Sequence, residues 1–135
     1  MVEINIAYQG DLRCSAIHQP SATTLLTDAP VDNHGKGESF SPTDLVATAL
    51  GTCILTTMAI VAERLNIDLS GSTVNVIKEM ATKPVRRIAS LTVVINVPVA
   101  LNDEQKQKLI HAAEICPVHG SLHPDVQVPI EFNWG

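Results

Sequence analysis

Aromatic and basic residues are scarce in this 135-residue sequence, and their scarcity restricts the kinds of protein it can encode. Aromatic side chains make up 3% of the chain, so the hydrophobic core must be largely aliphatic. The chain has nine Lys and Arg residues and 14 Asp and Glu residues, which gives a formal net charge of −5. The basic residues are scattered, whereas binding to nucleic-acid phosphates needs clustered Lys and Arg. No nucleic-acid partner is therefore expected.

Signals for export and membrane insertion are also lacking. The N-terminal stretch "MVEINIAYQGDLR" does not have the charge and apolarity order of a signal peptide. One uncharged run, residues 45–62, reaches the length of a membrane span, but four Thr and one Gly interrupt it, and Asp44 and Glu63 bound it closely. We interpret it as a buried helix. No membrane partner is expected, and the cytoplasm is the expected location.

The sequence pattern predicts an α+β fold in a single domain, residues 1–135. Three short strands are expected at 2–8, 12–18 and 22–28, with a turn at Gln9-Gly10-Asp11. A polar loop at 30–40 leads to a long helix capped by Ser41 and covered on several sides. Two long strands follow, split at Lys83-Pro84, and the second alternates its apolar residues, Ile88, Leu91, Val93, Ile95 and Val97. A second helix at 102–116 should begin with a capping box of Asn102 and Gln105, and a closing strand is expected at 125–134. Most strand pairs should be antiparallel, and Pro129 should place the last strand at an edge.

Two of the three cysteines lie in contrasting local settings. Cys116 shares the apolar face of the second helix, and Pro117 should end that helix and leave Cys116 at the N-cap of a new turn. A helix N-terminus lowers the pKa of a thiol, so Cys116 is the expected thiolate. Cys53 lies roughly three turns into its helix, where burial alone would raise its pKa and make it inert. Its activation would need a basic partner, for which Arg13 is the candidate.

Simpler interpretations remain open for each of these residues. An isolated Cys in an apolar helix or strand is usually a core residue, and this applies to Cys53 and to Cys14. Arg13 could be a solvated side chain of its strand. A metal site at Cys116, His119 and His123 is a further alternative, although a C-x-x-H pair needs additional ligands.

Three stretches together carry a family resemblance: "YQGDL" beginning at Tyr8, "SPTDLVATALGTC" ending at Cys53, and "CPVHGSL" beginning at Cys116. With the order of strands and helices, they make the sequence resemble the family of osmotically inducible protein C (OsmC) and the organic hydroperoxide resistance proteins. The resemblance covers nearly the whole chain. The first Cys motif is closer to a third, less defined branch than to either named one.

The resemblance implies an OsmC-like fold, with antiparallel sheets around long central helices in an intertwined homodimer. It implies a thiol peroxidase, for which organic hydroperoxides are the expected substrates. Cys53 would be the peroxidatic thiol that becomes a sulfenic acid, and Cys116 the resolving thiol that forms a disulfide with it. A dithiol reductant, lipoyl-type or other, would then reduce the disulfide. Neither a cofactor nor a metal is part of the implied site.

The resemblance also identifies a departure from the family pattern. Family members activate the first Cys with an Arg from the N-terminal hairpin, where Arg13 lies, and with a Glu early in the helix. Thr43 occupies the position of that Glu, and Asp44 stands beside it. Thr43 can hydrogen-bond to a peroxide but cannot form a salt bridge with Arg13. Whether Asp44 or Glu38 replaces the missing Glu stays open. The departure motivates an alternative function, a non-catalytic dimeric module that binds an apolar or thiol-reactive ligand.

Overall fold

The computed structural model describes all residues, Met1–Gly135, and has the predicted α+β composition. The strands are β1 (Ile4–Gly10), β2 (Arg13–His18), β3 (Thr23–Asp28), β4 (Thr73–Ala81), β5 (Arg87–Val97) and β6 (Ile130–Trp134). The helices are α1 (Pro42–Arg64), α2 (Asp103–Glu114) and the four-residue α3 (Pro117–Gly120). A 3-10 turn spans Val31–Asn33. The chain divides into two compact units, Met1–Val46 and Ala47–Gly135. The expectation of a single domain stays a prediction.

The first unit contains the antiparallel sheet β1-β2-β3. The turn between β1 and β2 is the one predicted, and its residues Asp11 and Leu12 have φ values of 54° and 62°. Two successive residues with positive φ match the twist of a tight hairpin. The pairing of β2 with β3 places Arg13 directly opposite Asp28, and Ile17 opposite Thr24 towards the other end of the two strands. This register brings opposite charges together across the strands.

The second unit contains the sheet β4-β5-β6 and the apolar core. Alternate residues of β5 are buried, Leu91, Val93, Ile95 and Val97, as the sequence alternation predicted. β4 pairs antiparallel with β5, but β6 pairs parallel with it. After β5 the chain passes through α2 and α3 before β6 begins. This long crossover allows β6 to run parallel to β5, whereas a short hairpin would make the two strands antiparallel. β6 lies at the sheet edge directly after Pro129, as predicted.

Helix α1 begins with the predicted cap. The Ser41 backbone N–H donates to the Asp44 carboxylate (2.9 Å), and the Asp44 N–H donates to the Ser41 hydroxyl (3.1 Å). Both bonds satisfy donors that have no partner inside the helix, which fixes where the helix starts. α1 is long and apolar enough to cross a membrane by length and composition alone, a weak indication because core helices of soluble proteins pass the same test.

Only one face of α1 is buried, so the expectation of cover on several sides is wrong for the single chain. The buried face includes Leu50, Ile54 and Met58, all with no exposed surface. At Gly51, an added Cβ would lie 3.0 Å from the Val76 side chain, so glycine allows α1 to approach β4 closely. On another side of the helix Ile60 is 49% exposed. An apolar residue this exposed leaves surface that a partner could cover.

Helix α2 and the break after it follow the prediction. The Asn102 side chain accepts from the Gln105 N–H (2.8 Å), and the Gln105 side chain accepts from the Asn102 N–H (3.0 Å). Leu109, Ala112, Ala113 and Cys116 are all buried. α2 ends before Pro117, and Cys116 becomes the N-cap of α3. The thiol is thereby held between a helix end and the start of a new turn.

Candidate thiol site

The two thiols predicted to react with each other lie near each other within the second unit, close enough for each to shift the pKa of the other. Cys116 is fully buried, and its sulfur accepts the N–H of His119 at 3.3 Å. Cys53 is half-buried, and its sulfur lies 3.9 Å from the Thr57 hydroxyl, one helical turn along α1. Neither cysteine forms a disulfide in the structure.

Cys53 is the more acidic of the two. Burial raises the pKa of the Cys53 thiol, but hydrogen bonds from the Val118 backbone, Cys116 and Thr57 together lower it below the ordinary value. Burial acts in the expected direction, but the hydrogen bonds outweigh it, so the pKa of Cys53 is lowered and not raised. Its hydrogen-bond donors come from α3 and from the next turn of α1. Thr57 was detectable in the sequence, because residues four apart share a helix face.

Cys116 is the less acidic thiol, which corrects the expectation drawn from its position at a helix start. Burial raises the pKa of Cys116, the His119 N–H lowers it, and the hydrogen bond and charge of Cys53 raise it again, so the net direction is upward. A four-residue helix supplies too few aligned peptides to outweigh full burial and a neighbouring thiolate. The pKa of Cys53 is thus lowered and that of Cys116 raised, the reverse of the order expected from the local pattern. The roles of the two thiols stay a prediction.

Arg13 is held by two carboxylates within the first unit. Its guanidinium Nη2 lies 2.7 Å from Glu38 and 3.6 Å from Asp28. The hydrogen bond and charge of Glu38, followed by the charge of Asp28, raise the pKa of Arg13. Glu38 was interpreted from sequence as a loop charge, and nothing in its local pattern marks it as a partner of Arg13. That Arg13 serves Cys53 stays a prediction.

Glu38, one of the two candidate replacements for the family Glu, contacts Arg13. The Asp44 carboxylate accepts the Ser41 N–H as part of the α1 cap. The Thr43 hydroxyl lies 3.3 Å from the Ser41 hydroxyl at the same helix start. The Arg–carboxylate pair therefore exists in this chain, with its carboxylate supplied by the loop before α1 instead of by the helix.

The metal alternative finds no support in the structure. No group of three His, Cys, Asp or Glu side chains is arranged to hold a metal ion. His119 contributes its backbone N–H to Cys116, and the His123 ring accepts from the Asp125 N–H at 3.1 Å. Cys14 lies on β2 opposite Tyr8 and Thr27, away from the thiol pair in sequence and in the other unit.

Comparison with known proteins identifies the family. The family pattern described as OsmC-like protein matches residues 35–131. The chain belongs to the OsmC-like family. A crystal structure of a candidate osmotic stress induced and detoxification response protein from Psychrobacter arcticus is 45% identical, with a TM-score of 0.92 over 98% of this chain and 96% of that chain. No curated protein matches the chain in a sequence search.

More distant OsmC-like structures share the fold. An organic hydroperoxide resistance protein from Legionella pneumophila is 17% identical with a TM-score of 0.79, over 98% of this chain and 96% of that chain. A candidate organic hydroperoxide resistance protein from Vibrio cholerae, with captopril bound in one of its active sites, is 18% identical with a TM-score of 0.76, over 97% and 91%. The predicted OsmC-like fold is confirmed. Family membership supports a role in peroxide resistance.

Proposed function

We propose that this protein is a thiol-dependent peroxidase that reduces organic hydroperoxides through Cys53 and Cys116. One observation carries the proposal: two free cysteines lie near each other, each beside its own hydrogen-bonding group, Thr57 for Cys53 and the His119 N–H for Cys116. The pKa of Cys53 is lowered and that of Cys116 raised. A peroxidatic thiol must be ionised to attack, while a resolving thiol can wait protonated. The shifts in the two pKa values match these two roles.

The reaction proceeds in three balanced steps. The Cys53 thiolate attacks the outer oxygen of the hydroperoxide, the O–O bond breaks, and Cys53 becomes a sulfenic acid. The alkoxide takes up a proton from water, equivalent to the one that the thiol lost on ionising, and leaves as the alcohol. The Cys116 sulfur then attacks the Cys53 sulfur, and the sulfenic oxygen leaves as water with the Cys116 proton. A dithiol reductant, lipoyl-type or another of the cytoplasm, reduces the disulfide by two successive thiol exchanges. Both cysteines return to the thiol state.

Arg13 is proposed to orient the peroxide, with Glu38 as its partner in place of the family Glu. A guanidinium held by a carboxylate at 2.7 Å has few accessible rotamers, so it presents its remaining N–H groups in a fixed direction. Thr43 and Asp44 then have the supporting role of starting α1.

A homodimer is proposed as the working form. One face of the first sheet carries Ile4, Ile6 and Tyr8 of β1, whose side chains are 56–68% exposed. Leu25 of β3 lies on the same face and is 44% exposed. A continuous apolar sheet face is unusual on a monomer surface and typical of an interface. A second copy of the chain is the partner that the family resemblance implies.

Mass spectrometry of the peptides tests the proposed function. The protein is treated with one equivalent of cumene hydroperoxide, or of hydrogen peroxide in parallel, and unreacted thiols are then blocked. We expect a Cys53–Cys116 disulfide within seconds, faster with the organic peroxide, and Cys14 still reduced. Thiols that stay reduced for minutes with both peroxides would contradict the proposal.

The second candidate is a non-catalytic module that binds an apolar or thiol-reactive ligand. An open apolar cavity of about 640 Å³ between α1 and α2 favours it, with Val61, Ala112 and Ile115 among its lining residues. The captopril held by the Vibrio cholerae relative also supports ligand binding in this family. A ligand that co-purifies with the protein, and that Cys53→Ser and Cys116→Ser both retain, would favour this function over turnover.

A further inference from the structure

Asp28 is the one acidic residue buried in the structure, and the proposed reaction does not use it. Its side chain is 1% exposed at the end of β3. One carboxylate oxygen, Oδ2, accepts the backbone N–H of Glu38 at 3.0 Å and lies 3.6 Å from the Arg13 guanidinium. Asp28 thus contacts both members of the Arg13–Glu38 pair.

The contacts of this buried carboxylate offset only part of the cost of burying its charge. Its distance to Arg13 is longer than the 2.7 Å of the Glu38 contact, and its second oxygen, Oδ1, has no hydrogen-bond partner. Removing a charge from water is costly, and a buried ion pair offsets that cost only when its geometry is good and its remaining lone pairs are bonded. The place of Asp28 beside both Arg13 and Glu38 therefore points to a task in addition to stability.

We propose that Asp28 is a positioning residue that sets the place of the Arg13 guanidinium. Arg13 and Asp28 are cross-strand partners, so β2 and β3 fix their separation through the sheet. Glu38 is 58% exposed and lies on the loop before α1, which makes it the less rigid of the two carboxylates. Asp28 anchors this loop through the Glu38 N–H. Asp28 therefore acts on Arg13 in two ways. Its carboxylate lies beside the guanidinium, and it also binds the backbone of Glu38, the residue that makes the shorter contact with Arg13.

The Arg13 Nε–H group allows the positioning to be measured without any turnover. This nitrogen is buried and has no hydrogen-bond partner, so its proton exchanges with water mainly when the side chain moves. In NMR spectra of the full-length protein, we expect Asp28→Asn to accelerate this exchange about tenfold. Asn keeps an oxygen that accepts the Glu38 N–H, removes the charge, and places an NH2 group where Oδ1 has no hydrogen-bond partner. Asp28→Ser serves the same purpose if Asp28→Asn does not fold.

Asp11→Asn is the matched control. The Asp11 charge also raises the pKa of Arg13, but more weakly than Glu38 or Asp28. Asp11 has a φ of 54°, a conformation that Asn adopts readily, so this substitution removes a nearby charge without backbone strain. We expect the Arg13 exchange rate to change less than about twofold, since the control leaves the direct contact in place. Equal acceleration by both variants would reduce the effect to net charge and overturn the inference.

The second arm measures the oxidation of Cys53 by cumene hydroperoxide, and it rests on the proposed function. Asp28→Asn should slow this oxidation about 10- to 100-fold, the cost of a misplaced reactive group, while Asp11→Asn stays near the wild-type rate. Unchanged exchange at Arg13 and unchanged oxidation in Asp28→Asn would overturn the role of Asp28. A wild-type protein that does not oxidise at all contradicts the proposed peroxidase instead, and the exchange measurement still decides the positioning of Arg13.

Discussion

The two units of the chain differ most in what they bury. Every buried apolar residue lies in Ala47–Gly135, including Leu50, Ile54 and Leu109. In Met1–Val46 the two buried residues are polar, Asp28 and Ser41. A sheet without its own apolar core is marginally stable in water. The thiol pair thus belongs to the unit with the apolar core, whereas the Arg13 cluster belongs to a sheet whose unit buries only polar residues.

Loss of the thiol in the second unit should have the largest effect. Cys53→Ser is expected to abolish peroxide turnover, because a serine hydroxyl has no accessible oxyanion at neutral pH. Cys116→Ser should keep the first oxidation step and lose repeated turnover, since no thiol remains to resolve the sulfenic acid. Turnover coupled to a dithiol measures both. Cys14→Ser is the control and should retain wild-type rates, and full activity of Cys53→Ser would contradict the assignment.

Matched truncations in the two units should separate core from interface. Ile54 is fully buried in α1, and Ile54→Ala should destabilise the fold by about 2–5 kcal/mol at any protein concentration. Ile6 is 68% exposed on β1. If Ile6 lies in a dimer interface, Ile6→Ala should weaken association and so lower the free energy of unfolding more at protein concentrations where the dimer forms. Its effect on the unfolding midpoint should therefore depend on protein concentration. Denaturant titrations at two concentrations measure this, and a concentration-independent cost for Ile6→Ala would argue against the sheet face as an interface.

The two thiols should differ in the pH dependence of their alkylation. The pKa of Cys53 is lowered, so at a pH below the pKa of an ordinary thiol Cys53 is more ionised than an ordinary Cys. Its alkylation should therefore be faster in that pH range. Because the pKa of Cys116 is raised, its reaction should require a higher pH. The native and the unfolded protein are each treated briefly with iodoacetamide over a range of pH. The alkylation rate of each Cys peptide gives the pH midpoint of that thiol in each state. A native Cys53 midpoint above the unfolded one would contradict the order of the thiols.

The smallest expected effect concerns the start of α2. Asn102→Ala removes the side-chain acceptor of the capping box and should cost about 1 kcal/mol. Glu104→Ala removes an exposed ion pair with Lys108 at 3.3 Å and should cost about 0.5 kcal/mol or less. Thermal unfolding of both variants measures the difference. Equal costs would mean that the cap contributes no more than a surface charge pair.

The features that the sequence predicted are those set by neighbouring residues. The Ser41–Asp44 and Asn102–Gln105 capping boxes and the helix break at Pro117 depend on residues within one or two turns, and the structure has all of them. The alternation of β5 also appears in its burial.

The features that the sequence did not predict depend on distant contacts. The parallel pairing of β6 follows from the path of the crossover. Glu38 contacts Arg13 because a loop folds back onto β2, which no local pattern encodes. The order of the thiols failed because the α3 backbone and the Cys116 side chain both donate to Cys53, and both come from a segment remote in sequence. The family resemblance implies the opposite order of the thiols from the local pattern, and the directions of the two pKa shifts agree with it. The catalytic roles themselves stay a prediction.

The central claim is that Cys53 is the thiol that meets the peroxide. The most direct test uses Cys116→Ser, in which the oxidised sulfur cannot be hidden in a disulfide. The variant is treated with cumene hydroperoxide in the presence of dimedone, which traps sulfenic acids, and the labelled peptide is identified by mass spectrometry. The account predicts a single label on Cys53. A label on Cys14, or none on Cys53 while the peroxide is consumed, would contradict it.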